Sequence, residues 1–237
     1  MIPQHPNVVG MLNKFVHVEE LCIVFEYMAL SLSDVWTRAQ GFLDYWQVVR
    51  YGHGVVQAVH HLHSHDVAYR DISMSIVLYD SVNNTVKLAD LGLATSASSF
   101  VLERPVTALW YRAPEAILFS SEPVQMAQPQ FTLDLWSSGC LLTSLWCANH
   151  IFMFDHDRAI EKELGRIGVL QKIVHVLGLP VAPSRGAASI SAAARSAWLG
   201  ITAFPRWGKY SKDLVMTQCP EVSFKEQLCD VRLVAWG

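Results

Sequence analysis

Two aspartates, Asp71 and Asp90, stand 19 positions apart, and each sits at the end of a short apolar run. Val67-Ala68 delivers Tyr69-Arg70-Asp71, and Lys87-Leu-Ala delivers Asp90. The interval holds one hairpin, with strands expected over 75–78 and 85–88 and a turn over 80–84. Such a hairpin brings both carboxylates to one edge. One of them can then face a hydroxyl to be deprotonated while the other holds a metal ion.

The rest of the chain must supply a scaffold for that pair, and composition bounds it. There are 237 residues, 51% hydrophobic and 16% charged, with net charge −3, which predicts one sizeable globular unit. Mean hydropathy of +0.24 is high for a soluble domain of this size. No run of 18 uncharged apolar residues occurs, so no membrane span is expected. The first residues, Met1-Ile-Pro-Gln-His-Pro, form neither a basic nor an apolar leader. Cys22, Cys140, Cys147, Cys219 and Cys229 include no C-x-x-C pair, and their odd number points to reduced thiols in an intracellular protein. The near-neutral charge offers no case for a nucleic-acid partner.

Along the chain, 5–9 and 21–28 read as strand-like segments around a turn at Glu19-Glu20. A helix starts near 31–36. Residues 43–64 carry apolar positions at Val48, Val55, Val56, Val59 and Leu62, the spacing of an amphipathic helix. His53, His60, His61, His63 and His65 could suggest zinc. With no acidic or thiolate neighbour they read better as structural side chains. Residues 131–140 open an apolar helix that continues through 141–146. The small, Ser/Ala-rich stretch 186–194 reads as a flexible insert.

Three stretches carry a family resemblance. They are Tyr69-Arg70-Asp71 with Lys87-Leu-Ala-Asp-Leu-Gly92, Thr107-Ala-Leu-Trp-Tyr-Arg-Ala-Pro-Glu115, and Asp134-Leu-Trp-Ser-Ser-Gly-Cys140. Together they resemble a eukaryotic protein kinase of the cyclin-dependent and mitogen-activated group. The resemblance covers roughly residues 5–207 and includes a helix end at 167–178 and the segment 204–207. It implies an α+β fold: a mainly α-helical large lobe over 29–237 and a remnant of the β-rich small lobe over 1–28. It implies ATP and Mg²⁺ as cofactors, a protein substrate or partner, and a cyclin-like activator as one such partner. The hinge would be Glu26–Met28, its backbone meeting adenine with Phe25 behind and Leu78 lining the pocket. Asp71 would be the catalytic aspartate, Arg70 its neighbour in the loop, and Asp90 the metal ligand. The activation segment would run over 90–115 and include Glu103, Thr107, Arg112 and Glu115, the last two as a fold-closing ion pair. Asp134 would brace the backbone of Tyr69 and Arg70.

The departures from the family pattern are equally specific. Ser73 stands where the family has a lysine, and Ile76 stands where it has the asparagine for a second Mg²⁺. An aliphatic side chain cannot ligate a hard cation. Each loss is worth ~2–4 kcal/mol of transition-state stabilisation by analogy with single electrostatic deletions. The sequence contains no G-x-G-x-x-G and no V-A-I-K, and the pattern reads as truncated at both ends. The expected function is therefore ATP-dependent phosphorylation of protein serine or threonine, strongly impaired. The alternatives are a pseudokinase scaffold or binding module, and an incomplete fragment that does not fold. Thr107 lies three residues before Trp110 where the family places threonine two before, and Ala108 occupies that place. Glu103 falls seven before Trp110, at the family's activating phosphothreonine position, and could offer Arg70 a permanent negative charge.

Overall fold

The computed structural model describes residues 2–103, 106–118, 123–126, 129–147, 165 and 168–173. In chain order the elements are β1 (Met11–His17), β2 (Glu20–Phe25), β3 (Leu30–Ser31), α1 (Leu32–Arg38) and α2 (Tyr45–Ser64). They continue as β4 (Val67–Ala68), β5 (Val77–Asp80), β6 (Thr85–Leu88), β7 (Thr95–Ser96) and β8 (Val101–Leu102). A 3₁₀ turn (Leu109–Tyr111), α3 (Pro114–Ile117), β9 (Val124–Gln125) and α4 (Phe131–Cys147) complete the set.

Both longer N-terminal helices begin at capping boxes. Ser31 and Asp34 exchange hydrogen bonds at the start of α1. At the start of α2, Gln47 N–H donates to Asp44 Oδ1 at 2.8 Å and Asp44 N–H to Gln47 Oε1 at 2.9 Å. Each box satisfies two backbone donors that a helix start would otherwise leave open. Helix α2 then buries Val48, Tyr51, Val55, Ala58, Val59 and Leu62 along one face. Asp66 ends the run in a left-handed conformation, φ 57°.

That buried face packs against β6 and α4. The core joins Leu62, Tyr69, Ile72 and Leu88 to Leu141 and Leu145 of α4, all essentially inaccessible. A fully buried leucine of this kind contributes ~1.5–3 kcal/mol. Strand β5 is central in the sheet β3-β5-β6, with Val77 opposite Leu88 and Asp80 opposite Thr85. The hairpin expected between the two aspartates is therefore present. Its first strand starts at Val77 rather than 75, because the amides of Ile76 and Val77 both turn back to the Ser73 carbonyl.

The start of the chain differs from expectation. Residues 5–9 form a strap, not a strand: Val8 N–H bonds back to His5 O, and only Val8 bridges Leu88. Pro6 has no N–H for a ladder, which favours the turn. The first strand is instead β1, joined to β2 through Val18 and Glu19, both at positive φ. Leu12, Phe15, Val16, Leu21 and Ile23 of this two-stranded sheet are exposed. Its end is tied down by Lys87, whose Nζ lies 2.9 and 2.8 Å from the two oxygens of Glu26. Lys87→Met is expected to lower stability by ~1 kcal/mol, measured by urea denaturation, because the pair is only partly shielded from water.

No helix among the described residues is long and apolar enough to cross a membrane. The expected segments at 186–194 and 204–207 lie outside the described residues, as does 167–178 apart from helical residues 168–173.

Candidate active site

The site is assembled around Asp134, which lies in the first turn of α4 and is completely buried. Its Oδ2 accepts Tyr69 N–H at 2.7 Å, and its Oδ1 accepts Arg70 N–H at 2.6 Å. A buried carboxylate needs such donors, since an unpaired one would be prohibitive. His63 adds a third, with Nε2 2.8 Å from Oδ2. The sequence marks His63 as structural but does not reveal this partner, which lies 71 residues away.

Held this way, Arg70 takes φ 70°, unusual for a residue with a side chain. Its guanidinium is fixed by Leu93 O at 2.6 Å from Nε and by Gln130 Oε1 at 3.0 Å from Nη1. Arg70 therefore positions the loop and its neighbour Asp71. Gln130, the second anchor, carries no signal in the sequence. Tyr69 is wholly buried and its hydroxyl donates to the carbonyl of Ala89, the residue before Asp90. The two aspartates thus hang on one connected frame.

Asp71 is half-buried, and burial followed by the negative charge of Asp90 raises its pKa, with Ala108 N–H and Arg112 opposing the rise. Asp90 is exposed at φ 56°, and its Oδ1 accepts Gly92 N–H at 2.9 Å. A side chain on Gly92 would press on that oxygen, since its Cβ would lie 2.9 Å away. Two carboxylates that repel each other fit a divalent cation, whose charge would relieve the repulsion. Asp90 would hold Mg²⁺ here, and the ion would supply charge neutralisation for a phosphate.

The two departures in the loop have structural consequences. Ser73 is buried and its Oγ lies 2.9 Å from Ser75 Oγ. Ile76 packs partly against the core. Neither offers the site a charge or a ligand. Among the described residues no group of three His, Cys, Asp or Glu side chains is arranged to hold a metal.

In the activation segment, Thr107 adopts φ 68° and its buried hydroxyl donates to Arg70 O at 2.6 Å. Arg112 donates to Val106 O and Thr107 O at 2.7 to 3.1 Å. The expected pair between Arg112 and Glu115 is replaced by these carbonyl contacts. No ion pair joins Arg112 to Glu115, and burial raises the pKa of the Glu115 carboxyl. Glu103 is exposed. No ion pair or hydrogen bond among the described residues links it to Arg70, whose fork meets Leu93 and Gln130 instead.

At the other rim, Glu26 is half-buried and its N–H donates to Gly10 O, while its carboxylate takes Gly10 N–H and Lys87. The side chain of Glu26 is therefore a strut. Met28 is partly exposed in the segment before β3. Leu78 is partly exposed on β5, opposite Lys87 and Ser31, and is not among the side chains packed on the core.

A loop carboxylate braced from a buried helix and a second one after a hairpin define a protein-kinase-like site. Comparison with known proteins agrees. Residues 2–196 match the family model of the protein kinase domain, so the chain belongs to that family. It is 29% identical over 214 residues to cell division control protein 2 homolog 2 of Trypanosoma brucei brucei, covering 86% of this chain and 53% of that protein. A chain of the yeast RNA Pol II CTD kinase CTDK-1 complex superposes with a TM-score of 0.65 at 21% identity. That match covers 96% of this chain and 66% of the other, and it supports the fold alone. The chain thus spans about half to two thirds of the length of these relatives.

The raised pKa of Asp71 has a thermodynamic consequence. A carboxyl that favours its neutral form in the fold adds a penalty as pH rises above its ordinary value of 3.8. Asp71→Asn keeps the acceptor for Ala108 and removes the charge. It is expected to stabilise the fold at neutral pH by at most ~1 kcal/mol after solvent screening. The gain should vanish below the ordinary carboxylate value, as read from paired urea melts across pH.

Proposed function

We propose that this chain is a serine/threonine protein kinase domain of the cyclin-dependent type whose phosphoryl transfer is strongly impaired, acting on or binding a protein partner inside the cell. Asp71 would orient the acceptor hydroxyl and Asp90 would hold a single Mg²⁺ with ATP. Supporting the reading is the catalytic loop itself: both carboxylates stand on one braced frame, while Ile76 leans on the core where a ligand would be required. Phosphoryl transfer relies on positioning and charge stabilisation, so the lost cation and ligand each remove a factor of ~10²–10³.

Nucleotide binding tests the reading directly. Mg-ATP affinity is expected to be weaker than millimolar, so about 1 mM ligand adds under ~0.4 kcal/mol by mass action. A melting shift of several degrees that Asp90→Ala abolishes would contradict it. So would phosphorylation of a generic basic protein by the unmodified chain that stops on Asp71→Asn.

A further inference from the structure

Three imidazoles line up where the strap 2–9 crosses α2. The rings of His5 and His61 stack with centroids 4.5 Å apart and planes 21° apart. His61 and His65 follow at 4.6 Å with planes at 52°. His61 Nε2–H donates to Pro3 O at 2.9 Å, and His65 Nδ1–H donates to His61 O at 2.8 Å. His5 Nδ1 accepts Asn7 N–H at 3.1 Å, which requires that nitrogen to be unprotonated.

We propose that His5, stacked on His61 where the strap crosses α2, forms a pH-sensitive clasp that holds the strap to α2 when neutral and releases it when protonated. A proton on His5 Nδ1 would turn an acceptor into a donor facing the Asn7 amide. His61 and His65 act as donors to carbonyls, so the acceptor nitrogen of His5 is the one that a proton would reverse. No carboxylate among the described residues bonds to any of the three rings. The other α2 histidines are engaged or exposed: His63 holds Asp134, His53 lies beside Gln57, and His60 faces water. Asp66, just past the helix, is taken by Ser96 and Ser98. The strap's contacts on β6 run to Thr85, Val86 and Leu88, none of which titrates.

The clasp reaches the site through the same strap. Asn7 Nδ2 donates to Val86 O at 2.8 Å, Val9 N–H to Leu88 O, and Leu88 N–H to Asn7 O. Leu88 stands two residues before Asp90, so release would loosen the strand that carries it. That consequence rests on the kinase reading of Asp90, whereas the clasp itself does not.

Burial and the nearby His61 both lower the pKa of His5 from its ordinary 6.5. A histidine with a lowered folded value stabilises the neutral-pH fold and loses that contribution as pH falls below 6.5. Amide exchange, corrected for intrinsic rates, tests the release. From about pH 7.5 to about pH 5.5, protection at Val9 and Leu88 is expected to fall by more than about twofold, with Val55 and Ala58 of α2 changing by less. An imidazole NMR titration of the whole chain should place the His5 midpoint below 6.5. His61→Phe keeps a ring in the stack and should raise that midpoint while at least halving the pH effect at Val9. A His5 midpoint at or above 6.5, or equal loss of protection in strap and helix, overturns the clasp. The wild-type titration decides alone if the variant does not fold.

Discussion

Asp134→Ala is expected to destabilise the domain by ~3–5 kcal/mol, a large share of the total stability of a domain this size. The substitution strips the acceptor from Tyr69 N–H, Arg70 N–H and His63 in one step, all at a completely buried position. Two backbone donors would be orphaned without access to water, and each costs ~1–3 kcal/mol. Arg70 would also lose the restraint that holds it at positive φ. Asp134→Asn should cost less, because one oxygen can still serve Arg70 while the new amide opposes the donors at Oδ2. Urea denaturation of the wild type and both variants measures the series. An Asp134→Ala cost below ~1 kcal/mol would show that the loop is held by packing and not by the carboxylate.

Gly54→Leu is expected to cost about 3 kcal/mol even though leucine is the better helix former by ~0.8 kcal/mol. At this position α2 lies directly against β6 and Asn7 of the strap. A Cβ there would lie 2.9 Å from both Asn7 Nδ2 and Val86 Cγ2, and 3.3 Å from Thr85 Oγ1. Asn7 cannot swing aside freely, since its amide is bonded to Val86 O and Thr85 Oγ1. Gly52, two residues earlier on the helix, supplies the contrast. Its added Cβ would meet only Leu142 Cδ2, the far end of a flexible side chain. Gly52→Ala should therefore be close to neutral, the propensity gain offsetting the contact. Thermal melts of the two variants give the comparison. A Gly54→Leu protein as stable as wild type would mean that α2 and β6 can separate at little cost.

Much of the site was legible because local spacing and chemistry agree. Asp71 and Asp90 with a turn-rich stretch between them specify a hairpin, since the alternating strands and the Asp80–Asn84 turn leave few other ways to close the chain. The period of apolar residues placed α2 on the core, because a buried stripe must recur every three to four residues, although Val56, counted in that stripe, is exposed. The capping boxes at Ser31 and Asp44 add starts that a short sequence window contains in full.

What the sequence could not supply are contacts between residues far apart in the chain. No local pattern tells that His63 meets Asp134, that Gln130 holds Arg70, or that Gly54 must be small to admit Asn7. The same reason explains the pairs that were expected and did not form. Arg112 and Glu115 lie on adjacent turns, and Glu103 carries the right charge for Arg70. Yet long arginine side chains take acceptors that the packed backbone presents, and here these include carbonyls and an amide. Charge and spacing name the candidates for such contacts, and tertiary packing selects among them, because the difference between competing partners is only ~1 kcal/mol and depends on burial.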